Sequence, residues 1–579
     1  MEKIIIFSIV SLILNNLIPS NLRTEDSSEG YKKRILDNPR GIKYNKIVSI
    51  IKEKNIHQNI ALIMSIILMY IVLWECLKFN TNSNEYYSRI EVLNYIIGLD
   101  GIGLTMIALI AILEPILILL IRGESKDLIE RKRIINYIIL IKIFIIILFG
   151  SLDLLVFFIT FELILIPMFL LITKFGSKYQ YFLPRLEAGI RFFLFTMLGS
   201  ILMFLAIIIF YIKYGTTSNE LLNLHINNII YSGDSDNIFI LKLIWIFIFF
   251  SFLIKIPMYP FHTWLPLAHS DAPTIGSIIL AALLLKLASF GIIRYSLYLF
   301  EPINIIFSIY ETFLPIIYIL SILSIIYCGL IPLRGIYDFK KIIAYSSIIH
   351  MNFSIFGFFS KDIIGLVGSS LLIFTHAFVS SALFLLVGLL YKRYHTRYLL
   401  YYQGLFISMP LFGFFFLFFS FANISLPFCA PFISELFILI SSFHSNYFLS
   451  ILLVSSLILS SSFMIWFTNR LLFGSLSPYI SYSTPTPSLM SLDIVPGTIV
   501  YSTTLSETES RTTLQASCSE SSGSKTTGLE IISSIKVGYK DITLTEFLCL
   551  FPFFFFTLFF TFFPNTLTSF FTLPLSLFI

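Results

Sequence analysis

Several ionisable side chains stand where an apolar chain rarely keeps them. Lys255 closes the run FFSFLIK, and Lys286 lies inside SIILAALLLKLASFG. Glu162 interrupts FFITFELILIP, and Glu435 follows SLPFCAPFIS. His262, His350 and His376 sit in or at the ends of similar runs. An ionisable group at membrane depth costs about 2.5–3.5 kcal/mol even on lenient insertion scales, so such groups face a bundle interior and mark ion or proton routes. A carboxylate beside a lysine in low dielectric makes the proton affinity of each depend on the other. The chemistry expected of such a set is proton relay. The bland alternatives are a structural Glu162–Lys255 ion pair, a half-helix cap at Glu435 and satisfied core histidines at His350 and His376. His262 has the further option of a helix end facing water.

The elements that must hold these groups follow from composition. Hydrophobic residues make up 57% of the 579-residue chain and charged residues only 12%, about half the charged share of ordinary domains. Runs of about 20 apolar residues, the length that crosses a bilayer, recur along nearly the whole chain. The expected fold is an all-α polytopic membrane protein, since lipid forbids open sheet edges. About fourteen spans are expected, at 4–19, 58–77, 100–121, 134–150, 152–173, 191–212, 238–261, 274–296, 313–333, 342–360, 363–391, 407–440, 447–472 and 546–574. The first is read as a retained span, because MEKIIIFSIVSLILNNLIPS lacks a small-x-small cleavage site. Pro257 and Pro260 predict a break in the seventh span, Pro427 and Pro431 another in the twelfth, since proline removes a helical donor. Broken helices near 255–260 and 427–431, one in each half, fit the inverted-repeat logic of transporters, whose half-helix ends host charge at the midplane.

Basic residues concentrate in the odd-numbered links, including Arg23 to Lys54, Arg122 to Arg133, Lys174 to Arg185, Arg334 with Lys340 and Lys341, and Lys392 to Arg397. The positive-inside rule places those links inside and both termini on the opposite side. Residues 475–545 are rich in Ser and Thr, broken by prolines, and read as a long disordered inside link. The expected divisions are 1–133 (spans 1–3), 134–296 (a first five-span repeat), 297–474 (a second), the link 475–545, and the last span in 546–579. Cys76, Cys328, Cys429, Cys518 and Cys549 are scattered without metal spacing, so neither metal centre nor disulfide framework is expected. No dinucleotide or P-loop fingerprint stands in its required context, and the net charge of +6 does not suggest nucleic acid. Glu114 and Lys142 lie deep in their spans with no partner assignable from sequence, and phenylalanine runs such as FPFFFFTLFFTFF read as lipid-facing bulk.

The segments FELILIPMFLLITKFG, KIPMYPFHTWLPLAHSDAPTIGSIILAALLLKLASFGIIR, DFKKIIAYSSIIHMNFSIFG, FTHAFVSSALFLLVGLLYKRYHTR and FANISLPFCAPFISELFIL together resemble the chain-4 type of antiporter-like subunits of mitochondrial NADH–ubiquinone oxidoreductase, respiratory complex I. The resemblance runs from about Asp100 to Gly474 and resumes near Asp541 to Pro564. It implies fourteen spans, two inverted five-helix repeats and a proton-translocating membrane-arm subunit in the mitochondrial inner membrane, its termini on the intermembrane-space side. By motif position it makes Glu162 and Lys255 a mutually modulating pair, Lys286 the central carrier, Glu435 the exit-side carboxylate, and His262, His350 and His376 secondary relay groups. It implies no cofactor on this chain: NADH, FMN, iron–sulfur clusters and ubiquinone belong to other subunits. The implied partners are the other membrane-arm subunits, above all the homologous chains 2 and 5, with lipid around them. Three departures stand out: Ser434 where the family commonly has glycine, Glu114 and Lys142 without a family counterpart, and a 475–545 link longer than the family needs. The alternatives are a stand-alone cation/proton antiporter and a non-pumping structural subunit.

Overall fold

A computed structural model describes residues 1–17, 56–80, 87–92, 95–124, 127–176, 182–232, 235–300, 312–477, 479 and 541–576. Two helices, α1 (Glu2–Leu17) and α2 (Ile56–Lys78), precede a two-stranded hairpin, β1 (Tyr87–Val92) and β2 (Tyr95–Leu99). Then come α3 (Gly101–Glu124), α4 (Leu128–Gly150), α5 (Leu154–Leu163), α6 (Leu165–Phe175), α7 (Phe182–Tyr214) and α8 (Asn219–Ser232). The chain continues through α9 (Ser235–Lys255), α10 (Trp264–Asp271), α11 (Thr274–Leu297) and α12 (Leu314–Leu333). Its last third holds α13 (Phe339–Phe358), α14 (Ile363–Tyr394), α15 (Pro410–Asn423), α16 (Ala430–Ser445), α17 (Tyr447–Leu472), α18 (Leu544–Phe562) and α19 (Asn565–Ser576). Among the described residues, 11 helices are long and apolar enough to cross a membrane. The expected count of fourteen also takes in α1, α13 and the twelfth span, whose two halves, α15 and α16, are each shorter.

Helix α14 is the axis of the bundle. Its most apolar stretch is wholly buried, and it packs against α13, α15, α16, α18 and α19. Gly368 sets the approach to α16: a Cβ there would stand 2.7 Å from the Cβ of Phe437 and 3.0 Å from the Ser434 carbonyl. The phenylalanine-rich α18 is lipid-facing only in part. Phe551, Phe555 and Phe562 are exposed, but Phe553 is buried, Phe556 stacks on Phe378 and Phe554 packs on Phe418. Aromatic rings bury large areas with geometric preference, so one face of this run is packing surface.

Both predicted breaks are present. Between α9 and α10 the helix stops at Lys255, and between α15 and α16 it stops at Asn423, with Ser425 and Phe428 at positive φ. A third interruption falls at Ile164, between α5 and α6, where Pro167 cannot donate to the Leu163 carbonyl. Three features lack a sequence expectation: the hairpin β1–β2, the short helix α8, and two π-helical turns within α11, Leu280–Leu284 and Ile292–Leu297. The link 475–545 lies almost wholly outside the described residues, yet both its ends are fastened to one corner. Ser477 donates its amide to the Gln403 carbonyl, and the Asp541 carboxylate accepts the Leu411 and Phe412 amides at the start of α15.

Candidate functional site

The interruptions of the helices decide where backbone groups are left for side chains to use. Pro427 has no N–H for the Asn423 carbonyl, four residues back, and His350 Nε2 donates to that carbonyl at 3.0 Å instead. At the first break, Pro257 likewise leaves the Leu253 carbonyl without its helical donor, and the Met258 amide takes it at 3.2 Å. The Ile254 carbonyl receives the Trp264 indole N–H at 3.0 Å, tying α10 back onto α9. In α11, Ala281 lies in the first π turn, and Lys286 Nζ reaches back to donate to its carbonyl at 2.6 Å. Such single π turns recur at functional sites in helices.

Lys286 is the head of a buried polar row. Its ammonium, in a side chain 1% exposed, donates to His376 Nδ1 at 3.0 Å. The His376 and His350 rings lie 5.3 Å apart between centroids, and His350 Nδ1 meets Glu435 Oε1 at 3.0 Å. Partner chemistry fixes where protons sit. A carbonyl only accepts, so Nε2 of His350 is protonated; one further proton is shared between Nδ1 and the Glu435 carboxylate. His376 accepts from Lys286 on Nδ1, so its Nε2 carries the hydrogen, buried without a partner. A narrow cleft lined by His350, His376, Leu372, Val379, Ala422, Asn423 and Pro431 adjoins the two imidazoles.

Glu162 and Lys255 form a separate pair. Lys255 Nζ donates to Glu162 Oε1 at 3.1 Å and also stands 3.1 Å from the centre of the Phe161 ring, a cation–π contact. Glu162 sits on the last turn before the interruption at Ile164, and its side chain keeps 20% exposure. His262 joins neither group: it lies in the first break, stacked on Tyr259 and edge-on to Tyr327, with Nδ1 unpartnered. Of the seven candidates, then, four come together in the row, two pair, and one stands apart.

The sequence reading missed a buried cluster at the α10–α11 junction. His269 is fully buried against the Phe384 ring at 4.4 Å, with neither ring nitrogen hydrogen-bonded. Nearby, Lys340 Nζ donates to the Ala272 carbonyl at 2.6 Å and to Ser277 Oγ at 3.0 Å, and Arg397 donates to the Ser270 carbonyl. Lys340 and Arg397 were counted among link charges, yet both are buried. The doubled pattern HTWLPLAHSD offered a signal for His269; nothing local marked Lys340.

A family model described as NADH:quinone oxidoreductase/Mrp antiporter, transmembrane, matches residues 151–500. NADH-ubiquinone oxidoreductase chain 4 of Chondrus crispus is 42% identical over 434 residues, 73% of this chain and 83% of that protein. The chain 4 of Marchantia polymorpha is 43% identical over 392 residues, 68% of this chain and 74% of its own. That of Arabidopsis thaliana is 42% identical over 388 residues, covering 67% and 74%. This chain belongs to the NADH-ubiquinone oxidoreductase chain 4 family. Two solved structures share the fold of this chain-4 family member. A chain of respiratory complex I from Thermus thermophilus with bound NADH superposes with TM-score 0.70 at 20% identity, covering 100% of both chains. A chain of the archaeal membrane-bound sulfane sulfur reductase gives 0.66 at 16% identity, covering 81% of this chain and 87% of its own. The region matched by the family model holds all seven candidate residues; Glu114 and Lys142 fall before it.

Proposed function

We propose that this chain is a proton-translocating membrane-arm subunit of an NADH:ubiquinone oxidoreductase in the mitochondrial inner membrane, with electron transfer carried by other subunits. The row Lys286–His376–His350–Glu435 carries this reading. Its links are a 3.0 Å contact, two imidazoles 5.3 Å apart and tilted by 45°, and a second 3.0 Å contact, so the groups a proton would use between Lys286 and Glu435 lie side by side. The order of steps is electrostatic. A change in the Glu162–Lys255 separation alters the charge near Lys286 and so its hold on a proton. The proton on His350 Nδ1 moves to Glu435, the Nδ1 so freed takes the Nε2 proton of His376 once the ring turns toward it, and His376 Nδ1 takes the proton of Lys286. Two inverted repeats, 134–296 and 297–474, would each supply one broken helix, and the homologous chains 2 and 5 would flank the subunit. Both termini would face the intermembrane space.

Substituting Lys286→Ala in the assembled complex tests this reading. Proton translocation by vesicles oxidising NADH is expected to fall severely while the complex still assembles; unchanged translocation overturns the proposal. The family description also names Mrp antiporters. Na⁺-dependent transport by the isolated chain would favour that second reading.

A further inference from the structure

Helix α1 is packed inside out. Its buried positions are Ile4, Ser8, Ser11 and Asn15, while Ile6, Ile9, Ile13 and Leu17 are exposed. Ser8, Ser11 and Asn15 recur at three- and four-residue steps and so form one stripe on the buried face. Helix α4 packs against α1 and faces that stripe with Lys132, Asn136 and Lys142. Hydrogen bonds run along the seam. Lys132 Nζ donates to the Asn16 carbonyl at 3.4 Å, and Asn136 Nδ2 to Asn16 Oδ1 at 2.8 Å. Asn15 Nδ2 donates to Asn136 Oδ1 at 2.5 Å. Lys142 Nζ then donates to Ser11 Oγ at 3.2 Å and to Glu114 Oε1, on α3, at 2.9 Å.

Burial deepens along this seam. Asn16 is exposed, Lys132 and Asn136 half-buried, and Asn15, Ser11, Lys142 and Glu114 buried. Two acceptor atoms on it have no donor: Asn15 Oδ1 midway and Glu114 Oε2 at the end. Buried polar atoms are nearly always satisfied by protein or by ordered water. An orphan acceptor calls for a donor or a cation, and the Lys142 ammonium beside Glu114 repels a metal cation. The ligand class that remains is water and its proton.

We propose that α1, α3 and α4 enclose a blind polar inlet, open at the face bearing Asn16 and Lys132, that carries water to the Glu114–Lys142 pair and lets the pair exchange a proton. The exchange moves one proton only. The Lys142 ammonium passes it to the Glu114 carboxylate, leaving amine and carboxylic acid, and inlet water takes up or returns a proton without any other bond breaking. The inlet is separate from the Lys286 row and does not depend on it: no hydrogen bond joins the two among the described residues.

The test is made in native membranes holding the assembled complex. Ser11→Cys, Asn15→Cys and Ile13→Cys, the last on the exposed face of α1, are treated with a small charged, membrane-impermeant thiol reagent, with wild-type membranes as the blank for native cysteines. Ser11→Cys and Asn15→Cys are expected to react from one face only, at least about tenfold faster than Ile13→Cys, as a hydrated seam requires. Rates no faster than that of Ile13→Cys overturn the proposal. If the cysteine variants fail to assemble, Glu114→Gln decides. Water in the inlet lets Lys142 shed its proton, so the complex assembles to within about twofold of wild type; in a dry seam the unpaired ammonium abolishes assembly, and that loss counts against the inlet.

Discussion

Lys255 and Lys286 are both buried lysines in spanning segments, but their partners are held differently. Lys255 has one carboxylate, which keeps 20% exposure, and one aromatic face. Lys286 is held by a carbonyl and an imidazole, and the imidazole leads on to a second imidazole and a carboxylate 5% exposed. A pair whose carboxylate touches the outside of the bundle can open with water or a neighbour replacing the lost contact. A row enclosed on all sides has no such slack, so displacement of any member strands a charge. The first arrangement suits a group whose separation changes; the second suits fixed stepping stones.

The sharpest way to break this contrast is to truncate each carboxylate in turn. Glu435→Ala leaves His350 Nδ1 without its acceptor in a closed site, and a loss of about 3–5 kcal/mol is expected, as for other broken buried pairs. Glu162→Ala is expected to cost less than half of that. Thermal unfolding of the purified assembly measures both, and equal losses would erase the distinction. Next in size is Gly368→Ala, which forces α14 and α16 apart beside Glu435. Overpacking of this kind costs about 1–3 kcal/mol, and NADH-driven pumping should fall with Glu162–Lys255 left intact. Smallest is Pro427→Ala. It restores an N–H that competes with His350 Nε2 for the Asn423 carbonyl, a contest worth about 0.5–1.5 kcal/mol. Pumping should slow modestly without loss of assembly, and an unaltered rate would show that the carbonyl does not hold the imidazole in place.

Much of this architecture was legible because proline speaks locally. Pro257, Pro260 and Pro427 announced the breaks, and apolar length announced the spans. Other features depend on groups distant in sequence. The Glu114–Lys142 contact joins residues 28 apart on different helices, and each looks like an isolated oddity until α3 and α4 pack. The π turns of α11 carry no breaker residue: Leu280 to Leu284 reads as ordinary helix, and the widened turn shows only in backbone hydrogen bonding. Lys340 looked like a link charge because it stands one residue after Phe339 opens a helix; the cap of α10 buries it. The row itself was legible as residues but not as contacts, since the order His376 before His350 reverses their order in the chain.

The fastening of residues 477 and 541 to the corner at 403–412 separates the fate of the bundle from the length of the segment between them. Closing a flexible loop costs only about 0.6 kcal/mol more for each doubling of its length, and here both ends are already docked. The corner is therefore a splice point: sequence can be added or removed between the two anchors with little consequence for the helices, which makes it a natural place to graft a tag or a reporter domain.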